Sequence, residues 1–206
     1  MAFVSCGDSK KEFDPKNATA FEWIDHVAPD ELKSVDDFGT FASGKFYFKT
    51  EQESDGMKAE AYMSFEETKA CSLFIMDVLG KTMKSISKDG YSYTVIEQEK
   101  KYCKTQDEEG EESIGAAKVD EATYTGVEDK EVDGKSAKAY AFKTKSGDIT
   151  DDIVIYISGK KIVAFDFGGE IMTVKEFGSK APSGLFDIPS DYEEISQEDL
   201  YNILYS

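Results

Sequence analysis

His26 is the only histidine in this chain of 206 residues, so a metal site built on several imidazoles is excluded. It stands beside Asp25, outside the strand-rich part of the chain, and no strand–turn–helix nucleophile elbow accompanies it. That setting reads as a surface side chain, not as a general base. Cys71 and Cys103 lie in strand-like surroundings, Ala70-Cys71-Ser72-Leu73 and Lys101-Tyr102-Cys103-Lys104. There cysteine serves as a small apolar filler, and neither thiol has a base assured beside it. Carboxylates are plentiful. Asp107, Glu108, Glu109, Glu111 and Glu112 form one cluster and Asp148, Asp151 and Asp152 another, with the hard oxygens that calcium prefers. Neither has the spacing of an EF-hand loop, and both read as solvated loops. The expectation is a protein with no catalytic residue, no metal and no cofactor.

Charge narrows the partners further. The formal net charge is −18, and all 24 basic side chains are lysines. Nucleic-acid binding needs basic patches that release counterions, and phosphate or carboxylate ligands favour the two-pronged guanidinium. The chain has the wrong sign and no arginine, so nucleic acid and phosphate-rich cofactors are excluded. Strong acidity instead suits a soluble monomer.

The residues that invite a binding role are apolar. Met57, Ala59, Ala61, Met63 and Phe65 alternate with Lys58, Glu60, Tyr62 and Ser64, which places the first set on one face of a strand. Leu73 and Ile75, with Met83 and Met172, are assigned to the same surface. Flexible methionine and small alanine suit an adaptable apolar cleft. Met57, Ala61, Met63, Phe65, Leu73 and Ile75 are therefore the candidate binding set for a lipid or other apolar ligand. The same residues would equally fill a plain core, leaving a protein whose role is to bind another protein.

Several elements must position these side chains. Phe21, Ile24 and Val27 recur at helical spacing, with Asn17 as candidate cap, and Pro29 can open a further turn as a first-position proline. From about Phe38 to Phe177 short alternating runs follow one another, punctuated by the hairpin turns Asp89-Gly90 and Asp133-Gly134. Residues 106–118 interrupt them with an acidic, glycine-containing loop. Near the C-terminus, Ser196 and Asp199 have capping-box spacing, and Leu200, Ile203 and Leu204 give that helix an apolar stripe. The fold class expected is α+β: a strongly curved antiparallel sheet, a half-barrel of about ten strands, with N- and C-terminal helices packed on it. In such a meander two strands separate Cys71 from Cys103. At ~4.8 Å per strand the thiols are ~14 Å apart, too far for a disulfide with a Cα spacing of ~5.5 Å.

Two resemblances add to this reading. Ala2-Phe3-Val4-Ser5-Cys6-Gly7, followed by a polar stretch through Asn17, resembles the lipobox of bacterial lipoproteins. It implies a lipid anchor on Cys6 and a protein held outside the cytoplasm on a membrane face. An export leader with its apolar run of ~7–15 residues would then extend upstream of Met1. Residues from about 38 to 192 resemble the LolA-like group of bacterial envelope proteins. The motifs are Lys88-Asp89-Gly90-Tyr91 through Lys101-Tyr102, Asp133-Gly134-Lys135-Ser136-Ala137 through Tyr140, and Phe186-Asp187-Ile188-Pro189-Ser190-Asp191-Tyr192. The group implies a half-barrel around helices with an apolar concave face. Its carriers use an arginine to retain cargo; with no arginine here, carrier activity does not transfer. The organisation expected is a lipobox remnant and tether over residues 1–16 and one LolA-like domain over 17–206.

With an export leader supplied, the protein should incorporate labelled fatty acid, and Cys6→Ser should abolish the label. Label that survives the substitution would disprove the anchor.

Overall fold

Thr19 starts the first helix. Its hydroxyl accepts the Glu22 amide while the Glu22 carboxylate accepts the Thr19 amide at 2.9 Å, a complete capping box. Asn17, the cap expected from the sequence, instead binds Asp14 in the preceding turn. The helix, α1 (Ala20–Val27), buries Ala20, Phe21 and Ile24. Pro29 caps α2 (Asp30–Lys33) instead of occupying its first turn. A third helix, α3 (Phe38–Ala42), stands where strands were expected to begin, and buries Phe38, Phe41 and Ala42. The computed structural model describes residues 13–54, 57–66, 69–78, 80–107, 118–169 and 171–205, with backbone alone at 52–54 and 57–58. Cys6, most of the tether and the acidic residues 108–112 lie outside the described residues.

Two meanders make up the sheet. The first comprises β1 (Lys45–Ser54), β2 (Met57–Glu66), β3 (Lys69–Val78), β4 (Lys81–Lys88), β5 (Tyr91–Ile96) and β6 (Lys101–Gln106). The second comprises β7 (Glu121–Val132), β8 (Lys135–Ser146), β9 (Ile149–Ser158), β10 (Lys161–Phe167) and β11 (Ile171–Gly178). A two-residue strand, β12 (Glu193–Glu194), adds parallel to β6, and the chain ends in α4 (Gln197–Tyr205). The order is β12-β6-β5-β4-β3-β2-β1-β11-β10-β9-β8-β7, one open, curved sheet of twelve strands where about ten were expected. Both Asp-Gly turns form as read: Asp89 and Gly90 have φ of 53° and 76°, Asp133 and Gly134 49° and 71°. Such left-handed pairs match the twist of a hairpin. Register shifts at Lys49/Thr50, Ile162/Ala164 and Tyr124/Gly126 mark irregularities that bend strands.

The joint between the meanders is the pairing of β1 with β11. On the face that carries α1 and α3, called inner here, Phe46, Phe48, Phe65 and Phe165 pack under Phe21, Phe38 and Phe41. Ring centroids lie 4.7 Å apart for Phe46–Phe65 and 5.0 Å for Phe48–Phe165. Each buried ring contributes roughly 1.5–3 kcal/mol. The N-terminal helices thus pack as expected, whereas α4 buries no residue. Its stripe of Leu200, Ile203 and Leu204 is half-buried, and it runs from β6 toward the start of β4, where the Ile203 carbonyl accepts a hydrogen bond from Lys81 Nζ.

The opposite, outer face carries polar side chains over the same joint. Lys49 Nζ lies 2.9 Å from Glu60, the Tyr62 hydroxyl donates to Glu60, and the Tyr47 hydroxyl donates to Glu176 at 3.3 Å. Tyr47 is only 4% exposed. Burial, and then the Glu176 carboxylate, push its phenol from the ordinary 10 up to about 12. The raised value means that this contribution is fully present below pH 10 and lost as pH rises through about 12. Across that window the protein should lose about 2–3 kcal/mol more stability than Tyr47→Phe. Parallel loss in both proteins, followed by denaturant titration, would remove Tyr47 as the cause.

Candidate ligand-binding face

Antiparallel register sorts the inner side chains of β2–β6 into rows running across the sheet. The first row is Met63, Ser72, Ser87, Ser92 and Thr105. The second is Ala61, Phe74, Ser85, Thr94 and Cys103, and the third Ala59, Met76, Met83, Ile96 and Lys101. One side of this floor is therefore hydroxylic and the other apolar. Helices α1–α3 cover its β2 end, where Ala61 and Phe65 are 2% and 5% exposed. At the far end Ile96 is fully buried, near the strand on which α4 rests. Between these covers Phe74, Met76 and Met83 are half-buried and belong to no core cluster among the described residues. From covered β2 to Ile96 on β5 the distance across the strands is about 14 Å at ~4.8 Å per strand.

The rim is unequal in charge. The hydroxyl side ends at Asp107, whose carboxylate is 3.5 Å from Ser87 Oγ. Lys81 and Lys101 border the apolar side, and Lys81 is held by the Ile203 carbonyl and by Glu99 at 3.7 Å. Lys84, Lys88 and Lys104 alternate to the outer face, where Lys84 pairs with Glu97 and Lys104 lies 3.7 Å above the Tyr91 ring.

The six candidate residues do not form one site. Phe65 and half-buried Met63 belong to the aromatic core under α1–α3, and Ala61 is buried on the same face of β2; the side chain of Met57 lies outside the described residues. Leu73 and Ile75 face the other way, opposite Tyr62 and Glu60. There Leu73 packs with Ile86 and Val95 beneath Leu185, Phe186, Ile188 and Tyr192, with Ile75 at the margin. Pairing of Phe65 with Ala70 fixes this parity, because it makes the even-numbered residues of β3 inner. Met172, opposite Phe165, also joins the core. Sequence reasoning misses Phe74 and Met76: the continuous apolar run from Leu73 to Met76 contains no alternation from which to read its face.

The groups with possible reactivity stay apart. His26 is exposed and stacked on Phe13 at 4.1 Å. It borders a recess of about 190 Å³ with Asp14, Asn17, Glu22 and Asp25, smaller than the ~300–1,000 Å³ of a typical ligand site. Cys71 is outer and Cys103 inner, with β4 and β5 between their strands; both are free, and burial pushes both thiols up. Asp152 pairs with Lys143 at 3.4 Å. Among the described residues no group of three or more potential ligands is placed to hold a metal ion.

No family model matches the chain, and no curated protein matches it. Among solved structures it is similar to an uncharacterized conserved protein from Thermus thermophilus, at 12% identity over 82% of this chain and 98% of that one, with a TM-score of 0.42. A likeness at this level carries no assignment. Packing, however, separates the covered half of the inner face from the open half. Ala61→Trp should cost about 1–3 kcal/mol through overpacking, while Ser85→Trp should leave the denaturation midpoint nearly unchanged. Equal tolerance at both positions would mean that the helices cover no filled core.

Proposed function

We propose that this protein is a non-catalytic envelope or cell-surface lipoprotein that holds an apolar ligand, such as a lipid chain, on the open part of its inner face. The observation that carries the reading is the placement of Phe74, Met76 and Met83. They adjoin one another across β3 and β4, half-buried, outside every core cluster among the described residues. Methionine is unbranched and polarisable, so such a floor adapts to a guest without a fixed shape. The lipobox-like sequence at Cys6 supports attachment to a membrane face, and the LolA-like motifs support a sheet whose helix-bearing side takes acyl chains. Neither requires catalysis.

Nile red, an uncharged apolar dye, should bind the purified protein with micromolar affinity and shift its emission to the blue. Met76→Asp combined with Met83→Asp should weaken it by about tenfold or more with unchanged circular dichroism. Absence of dye binding by the unsubstituted protein would overturn the ligand reading and favour a protein-binding role.

A further inference from the structure

We propose that the hydroxyl rows select the polar part of the ligand: the guest is an amphiphile with an uncharged, hydroxyl-bearing headgroup, not a phosphate or carboxylate. This inference rests on the apolar floor proposed above and adds the chemistry of the other end. Ser72, Ser85, Ser92 and Thr94 point to the same inner face, and among the described residues their hydroxyls have no hydrogen-bond partner. A hydroxyl both donates and accepts, as does a sugar or glycerol hydroxyl, so facing rows of this kind can exchange hydrogen bonds in either direction.

Charge excludes the main competitors. No cation stands in the two rows that carry the hydroxyls, because Lys84, Lys88 and Lys104 alternate to the outer face. The nearest charge is the Asp107 carboxylate beside Ser87. An anionic headgroup there would lose its hydration and meet a like charge, which is unfavourable on both counts. At the other margin Lys101 lies in the methionine row, four residues along β6 from Thr105 of the Ser87 row, about 14 Å at ~3.4 Å per residue, and Lys81 lies six residues along β4 from Ser87, about 20 Å. A tail lying over Phe74, Met76 and Met83 therefore directs its headgroup away from both lysines and toward the serines.

Displacement of Nile red from the intact protein by octyl glucoside, octyl phosphate and octanol, which share one chain length, tests the headgroup. Octyl glucoside should displace the dye at about tenfold lower concentration than octyl phosphate. Ser85→Ala with Ser87→Ala and Thr94→Val should erase most of that advantage while leaving dye affinity intact. Ser85→Lys, which places a cation in the row, should instead make octyl phosphate the better competitor. Equal displacement by all three, or a glucoside preference that survives the triple substitution, would overturn the headgroup assignment and leave the apolar floor standing. Failure of the dye to bind at all would overturn the floor, and this inference with it.

Discussion

The pairing of β1 with β11 is the constraint on which the rest depends. Each meander can form its own hairpins, but neither buries its inner face alone. Only when Phe46 and Phe48 of β1 lie beside Phe177 of β11 and near Phe165 of β10 do the two halves present a continuous aromatic surface. α1 and α3 then have something to cover, and Phe21 and Phe41 meet Phe46 edge-on and tilted at centroid distances of 5.2 and 5.3 Å. On the outer side the same joint is held by Tyr47, Lys49, Glu60, Tyr62 and Glu176. The hydrogen bond to Glu60 raises Lys49 beyond its ordinary range, so this cation persists where the phenols titrate.

From that joint outward the period-two alternation of the strands dictates where chemistry can occur. The N-terminal helices reach β2 and Ala70 at the start of β3, and α4 rests on β6 and on Lys81 of β4, so Phe74, Met76 and Met83 between them are left half-buried. Alternation sends the lysines of β4–β6 to the outer face apart from Lys81 and Lys101, and leaves serine, threonine and methionine inside. The absence of arginine, which is a property of composition, and the absence of lysine from the hydroxyl rows, which is a property of register, act in the same direction.

Much of this is legible in the residues alone. Asp89-Gly90 and Asp133-Gly134 fix two hairpins because a left-handed pair of residues has few alternatives. Ser196 marks the start of the last helix, and its hydroxyl does accept the Asp199 amide at 3.1 Å. The parity of β3 is not legible: a run that is apolar on both faces looks alike in either register, so sequence reasoning puts Leu73 and Ile75 on the wrong side. The segment Phe38-Gly39-Thr40-Phe41-Ala42 hides a helix because glycine weakens the signal and five residues barely show a period, although the two phenylalanines stand at helical spacing. β12 is Glu-Glu, ordered by the Glu193 amide donating to Lys100 and the Ile195 amide to Tyr102, and no hydrophobic pattern could announce it. Where α4 docks is equally hidden, since its stripe specifies a face and not a partner.

The joint between β1 and β11 also shapes how the molecule is made. Tyr47 and Glu176, which meet across it, are 129 positions apart in the chain. Closing a loop of that length costs roughly 3 kcal/mol more than closing a tight hairpin, at ~0.6 kcal/mol for each doubling. Contacts of such separation form late and slow the reaction. Synthesis from the N-terminus presents Phe46, Phe48 and Phe65 long before Phe165 and Phe177 exist to pack beside them. For that interval the nascent chain carries an unpaired β1 edge next to an exposed aromatic face, the combination most prone to join another chain. The period of greatest vulnerability therefore ends only when the ribosome has passed Gly178.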